Sequence, residues 1–189
     1  MTRSMRRYGL VTLAAFGLAA GPAAAQVVPF EVTGGGPVPD GTSLLGADSR
    51  HSATGTATHV GKYSGDGVFN SLSFDPTTGG GTFHGKFTFV AKNGDRLACT
   101  YGDTDNGADQ PGTYQAFPAG GNKVYVAFMA EFNPIPSECT GRFKTVVDGS
   151  FLMTAASDPF ELSIDANGFT PPYRYRWEGS GWLEYKRGK

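Results

Sequence analysis

The sequence predicts an all-β fold, a single antiparallel β-barrel, from three observations. Strand-like runs with period-2 alternation recur at short spacing over the second two-thirds of the chain, and glycines interrupt them repeatedly, 28 in all. No amphipathic helix longer than about two turns is visible. Glycines inside strand-like runs mark bulges, bends or close backbone approach, which a sheet needs at its corners when it closes on itself.

The first 25 residues stand apart. Arg3, Arg6 and Arg7 precede an apolar run from Leu10 to Ala20, and Ala23-Ala24-Ala25 offers a small-residue cleavage site. This is the pattern of a secretory signal peptide, so residues 1–25 are expected to be removed and the protein to be secreted or periplasmic. The apolar run is about half the roughly 20 residues that a spanning helix needs. No transmembrane segment is expected, and the remaining chain of about 164 residues suits one domain. Without the three signal arginines, 13 basic residues face 17 acidic ones, a formal charge of −4. Lys and Arg are scattered except at the C-terminal Lys186-Arg187-Gly188-Lys189, which excludes the basic stripe of a nucleic-acid binder.

Residues 26–45 are rich in Gly and Pro around Gly34-Gly35-Gly36-Pro37 and sustain no period, so a flexible arm, extended or disordered, is expected before a β-barrel domain over 46–189. From Ser52 to Phe74 β-favouring residues mix with Gly55, Gly61, Gly65 and Gly67. A hairpin follows, with Asn93-Gly94 between two alternating runs. Its first arm sets Phe83, Gly85, Phe87, Phe89 and Ala91 on one face, and its second sets Leu97, Cys99 and Tyr101 together. Thr113–Phe117 and Lys123–Phe132 form a further pair, the latter apolar on both faces and so expected to be covered on both sides. Gly149–Ala155 reads as a strand and Asp158–Thr170 is ambiguous. In a last strand Tyr173, Tyr175 and Trp177 alternate with Arg174, Arg176 and Glu178.

Cys99 and Cys139 are the two cysteines. In an exported chain a disulfide is the default, closing a loop of about 40 residues and contributing about 3 to 4 kcal/mol in the chain-entropy model; two separate buried thiols are the alternative. His51, His59 and His84 lack the spacing of a zinc site and read as ordinary sheet or rim residues, although His59 and His84 could meet across strands. Asp103 to Asp109 begins like a calcium loop, but the twelfth position holds Tyr114 where an EF-hand needs glutamate. No metal and no cofactor is therefore expected. Glu131 is the candidate catalytic group, because a carboxyl in an apolar strand is desolvated and its pKa rises if it faces inward; a rim carboxylate is the alternative. The aromatic supply, 14 Phe, 8 Tyr and 2 Trp, either fills the interior or lines an apolar pocket, with Tyr125 and Tyr175 as candidate ligand-binding residues. No nucleophile elbow, metalloprotease helix, P-loop or dinucleotide fingerprint is present.

Thr140-Gly141-Arg142-Phe143, followed by Val147-Asp148-Gly149, resembles the T-G-x-F-x-x-A-x-G segment of the dirigent and allene oxide cyclase type of β-barrel, with Val146 in place of its alanine. Gly55-Thr56-Ala57-Thr58-His59-Val60-Gly61-Lys62-Tyr63 resembles the G-x-A-T-H-L-G-x-F segment of small secreted bacterial β-barrel proteins. Asn93-Gly94-Asp95 and Trp177-Glu178-Gly179 follow in the order such proteins show. The resemblance implies a dirigent-like barrel in which the 140–143 turn feeds a strand and Phe143 plugs one end. It also implies a homo-oligomer, a trimer in those families. The leading expectation is a non-catalytic protein that binds an apolar or aromatic small molecule or acts as an interaction module. The alternative is a cyclase or isomerase that shapes a flexible apolar substrate in an aromatic pocket, which needs little side-chain chemistry.

Overall fold

The computed structural model describes residues 25–44 and 46–186; the predicted signal peptide and the last residues of the basic tail lie outside the described residues. Ten strands form one antiparallel sheet: β1 (Gln26–Val38), β2 (Asp48–Ala57), β3 (Gly61–Asp75), β4 (Gly80–Ala91), β5 (Arg96–Tyr101), β6 (Gly112–Pro118), β7 (Lys123–Pro134), β8 (Val146–Ser157), β9 (Phe160–Glu161) and β10 (Tyr173–Tyr185). The hydrogen bonding returns to its start. β1 pairs with β2, β2 with β3 and β3 with β4, while β1 on its other side pairs with β10, then β8, then β7. Two short strands bridge β4 to β7, β5 along one half and β6 along the other. Among the described residues no helix is long and apolar enough to cross a membrane.

The period-2 pattern places the core. Phe83, Phe87, Phe89 and Ala91 of β4 and Leu97, Cys99 and Tyr101 of β5 are buried on the enclosed face, as the alternation predicts, and Gly94 turns the hairpin with φ +88. Segment 26–45 differs from expectation. It is extended, but it is strand β1, paired with β10 along its whole length from Gln26↔Tyr185 to Val38↔Tyr173. Phe30, Val32 and Val38 alternate inward, a pattern that Pro29 and three consecutive glycines interrupt in the sequence. β7 also differs: Phe132 and Ala130 are buried inward, but Tyr125 and Met129 on its other face are exposed to solvent.

A single device recurs across the enclosed face. Tyr101 of β5 stands opposite Gly85 of β4, crosses it and donates to the Val68 carbonyl of β3 at 2.8 Å. Tyr63 crosses Gly55 to Thr33 at 3.2 Å, Tyr114 crosses Gly81 to Ser73 at 2.9 Å, and Tyr175 crosses Gly36 to Ser52 at 3.1 Å. A Cβ on Gly85 or Gly81 would collide with the crossing phenol and with the carbonyl beneath it.

The 140–143 turn also feeds a strand. Gly141–Phe143 is a 3-10 turn ahead of β8, and Phe143 is fully buried. Its tether to the Asn93-Gly94 hairpin is not the expected disulfide, because Cys99 and Cys139 are free, buried thiols. Cys99 faces the core, whereas the Cys139 thiol approaches the Ala98 carbonyl at 3.7 Å. Burial pushes both thiols above their ordinary pKa. The tether is made instead by Arg142, whose Nε meets Asp95 at 2.8 Å, and by the Thr140 N–H on the Arg96 carbonyl at 2.9 Å. Gly141, at φ +60, lies where any side chain would strike the Asp95 carboxylate.

Replacing Gly85 by alanine forces a methyl group into the Tyr101 crossing, where the backbone carbonyl of Val68 cannot yield. The variant is expected to lose about 1–3 kcal/mol of stability in urea unfolding; an unchanged or raised midpoint would refute the crossing as a packing constraint.

Candidate functional site

The crossings leave an unfilled space in the aromatic interior, a cavity of about 70 Å³ with an almost wholly apolar wall. Phe69, Phe83, Phe128 and Phe132 line it together with Tyr101, Tyr173, Tyr175 and Trp177. The rings meet edge-on or tilted, as at Phe83–Phe128 with centroids 6.0 Å apart, and Tyr101 stacks on Phe132 at 4.6 Å. A space of this size exceeds what a single water needs, and an apolar wall gives water too few partners.

The polar part of the wall is His51, on the inward face of β2 between Ser49 and Ala53. It stands opposite Gly67 of β3, whose missing Cβ leaves room for the imidazole. Nδ1 lies 2.8 Å from the Tyr175 hydroxyl and Nε2 lies 3.0 Å from that of Tyr101. Tyr101 commits its own proton to the Val68 carbonyl, so its oxygen accepts from His51. The neutral ring thus carries its proton on Nε2, and Nδ1 shares the single Tyr175 proton with the Ser52 carbonyl, which lies 3.1 Å from the same hydroxyl. Phe87 packs on the imidazole at 5.4 Å between centroids, and burial lowers its pKa to about 4. Burial likewise raises both tyrosines above their usual range. Next to this set Trp177 Nε1 donates to Tyr63 at 2.8 Å, and desolvation raises the Tyr63 hydroxyl to about 12. All these polar atoms are used within the wall.

Of the candidate catalytic and ligand-binding residues, Tyr175 alone reaches the cavity, and His51, read in the sequence as an ordinary sheet or rim residue, reaches it too. Tyr125 lies on the outer face, stacked on Phe117 at 5.3 Å. Glu131 is also on the outer face and is no interior acid. Its carboxylate accepts from the Ser150 hydroxyl, from the Asp109 backbone N–H at 3.0 Å and from the Asn133 amide at 3.4 Å. Partial burial draws the carboxyl upward, but these hydrogen bonds outweigh it and hold the group below the ordinary glutamate value. The same residue's carbonyl accepts from Gly102 N–H, so Glu131 clasps the 102–112 loop to β7. His59 sits in the β2–β3 turn and His84 pairs with Asn70 far along β3, so the two do not meet. Asp103 caps its own turn, accepting from Asp105 N–H at 3.1 Å and the Asn106 amide at 2.8 Å. Among the described residues no group of three or more His, Cys, Asp or Glu converges as a metal site.

His51 makes stability depend on pH. Above pH 6.5 it is neutral folded and unfolded; as pH falls, the unfolded chain takes up the proton first, and stability drains until the folded ring titrates near pH 4. The loss over that window is expected to be on the order of 3 kcal/mol. Urea titrations from pH 7 to pH 4 should show it in the native protein and not in His51→Gln; equal slopes would place the ring in contact with water.

The chain matches no protein-family model, and neither a curated protein nor a solved structure matches it, so the functional reading rests on the chemistry of this interior.

Proposed function

We propose that the ring of strands is a small β-barrel of the dirigent and allene oxide cyclase type, exported after loss of residues 1–25, and that it binds a small apolar or aromatic molecule in its interior. The reading is carried by one observation: the apolar cavity beside His51, Tyr101 and Tyr175, whose polar atoms are turned to one another. A dry apolar space gives up little hydration when filled, and small barrels use such spaces for ligands. The polar atoms of the wall bond one another, so selection is by shape and size. The motif order around Asn93-Gly94-Asp95, Thr140–Phe143 and Trp177-Glu178-Gly179 supports the barrel type, and assembly into a homo-oligomer belongs to the same resemblance.

A second reading, a cyclase or isomerase, draws on His51 itself. A neutral imidazole held between two phenols is a proton donor and acceptor at the edge of the cavity, and a substrate folded against it would need only positioning.

Benzene is the test ligand, because it presents no polar atom and is the smallest aromatic ring. Saturating benzene is expected to raise the melting temperature and to perturb the NMR signals of Met153 and Trp177. Ala155→Leu, which projects a larger side chain from β8 into the cavity, is expected to abolish both effects while the protein stays folded. Native protein that ignores benzene would sink the binding reading.

A further inference from the structure

We infer that the line along which β1 and β2 part is the mouth of the cavity, and that the ligand is a small amphiphilic carboxylate with its apolar body inside and its carboxylate on Arg174 and Arg176. The inference rests on the cavity being a binding site, as proposed above, and adds where the ligand enters and what its polar end is.

β1 and β2 pair only from Val32↔Ala57 to Gly35↔Thr54, although β1 runs to Val38 and β2 starts at Asp48. Continued in register, Pro37 would stand opposite Ser52, and proline has no N–H for the ladder. The strands separate there, and the Ser52 carbonyl takes the Tyr175 hydroxyl at 3.1 Å instead. Gly36, next to the gap, carries no side chain, and a Cβ there would strike the Ser52 carbonyl. His51 and Tyr175 both line the cavity, and each also borders a depression on the outer surface. His51 borders one of about 460 Å³ with Pro39, Arg50 and Asp66. Tyr175 borders one of about 290 Å³ over the three glycines, with Arg174, Arg176 and Asp158. At this line the wall between inside and outside is therefore two hydrogen-bonded residues.

The charges at the mouth set the ligand class. Arg174 and Arg176 are exposed on the outer face of β10, opposite Pro37 and Gly35 of β1. Among the described residues neither guanidinium is in an ion pair or a side-chain hydrogen bond, and the same holds for Arg50 across the gap. Asp158 borders one depression, and Asp66 and Glu138 border the other, where Glu138 is paired with Lys86 at 3.4 Å. Successive outward residues of a strand lie about 7 Å apart, a spacing at which two guanidinium forks converge on one carboxylate. Inside, the polar atoms are already bonded to one another, so a ligand's polar end has to remain at the mouth. The cavity of about 70 Å³ limits the buried body to a group no larger than a phenyl ring. An arylalkanoate with a short methylene link fits both ends.

The test is calorimetric and NMR titration of the folded chain with 3-phenylpropionate, its amide and benzene. The carboxylate is expected to bind about tenfold more tightly than the amide, and Arg174→Ala/Arg176→Ala is expected to erase that difference. Tyr175→Phe, which frees the Ser52 carbonyl, is expected to raise the association rate several-fold, whereas Tyr114→Phe, a crossing away from the gap, leaves it unchanged. Equal affinities for acid and amide, or a preference that survives in the double variant, would overturn the carboxylate assignment and leave the cavity reading standing. Identical association rates in Tyr175→Phe and native protein would overturn the mouth. Absence of benzene binding would overturn the cavity reading itself, and this inference with it.

Discussion

The interior depends on tyrosines that cross glycines. At each crossing the tyrosine stands opposite a residue without Cβ, and its hydroxyl reaches a carbonyl of the strand beyond that glycine. The arrangement solves two problems together. A buried phenol must keep a hydrogen-bond partner or lose on the order of 1–3 kcal/mol, and a curved sheet cannot hold a large side chain at every inward position. Glycine costs about 0.5–1 kcal/mol in chain entropy relative to alanine, while burying the ring contributes several times that. Three strands are fixed in register by each crossing, which is more than a ladder bond between two neighbours achieves.

The crossings also decide where chemistry is possible. Each phenolic oxygen that donates to a carbonyl still accepts: Tyr63 from Trp177, Tyr114 from Ser71, Tyr101 from His51. His51 thus joins a system already in place, inserted between two crossings that approach from β5 and β10. Its position explains both its lowered pKa and its tolerance of burial, since either protonation state finds partners. A protonated ring would donate to both tyrosine oxygens, which then pass their protons to Val68 and Ser52. Burial alone, and no broken hydrogen bond, disfavours the cation.

Much of the sheet is legible in the sequence where inward positions carry large apolar side chains. Phe83, Phe87 and Phe89 declare the face of β4, Asn93-Gly94 declares its turn, and Tyr173, Tyr175 and Trp177 declare the face of β10. β1 and β2 are illegible for the converse reason. Their inward positions include Gly34, Gly36, Ala53, Gly55 and Ala57, small because rings from other strands fill the space above them. His51 belongs to that row of small residues, and only the strand partner Gly67 and the distant tyrosines give it meaning. Glu131 misleads through its neighbours. Its strand is apolar on both faces, yet the outer face is left to solvent, and the 102–112 loop that supplies the carboxylate's partners is remote in sequence. Cys99 and Cys139 are both buried in the core as free thiols, a fact that spacing alone does not contain.

The fourth crossing differs from the others in what it replaces. Tyr63 and Tyr101 reinforce a ladder that already runs between the strands they span, whereas Tyr175 joins β10 to β2 where β1 and β2 have ceased to pair. A ladder opens only by moving two backbones, and neighbouring bonds resist. A side-chain hydrogen bond opens by rotation of one phenol, at a net cost of about 0.5–1.5 kcal/mol. Pro37 therefore does more than end a ladder. It converts one stretch of the wall from backbone to side chain, where His51 and Tyr175 each border both the cavity and an outer depression. In a ring otherwise held by backbone pairing, access to the interior is cheapest where a proline has removed the donor and a tyrosine has taken its place.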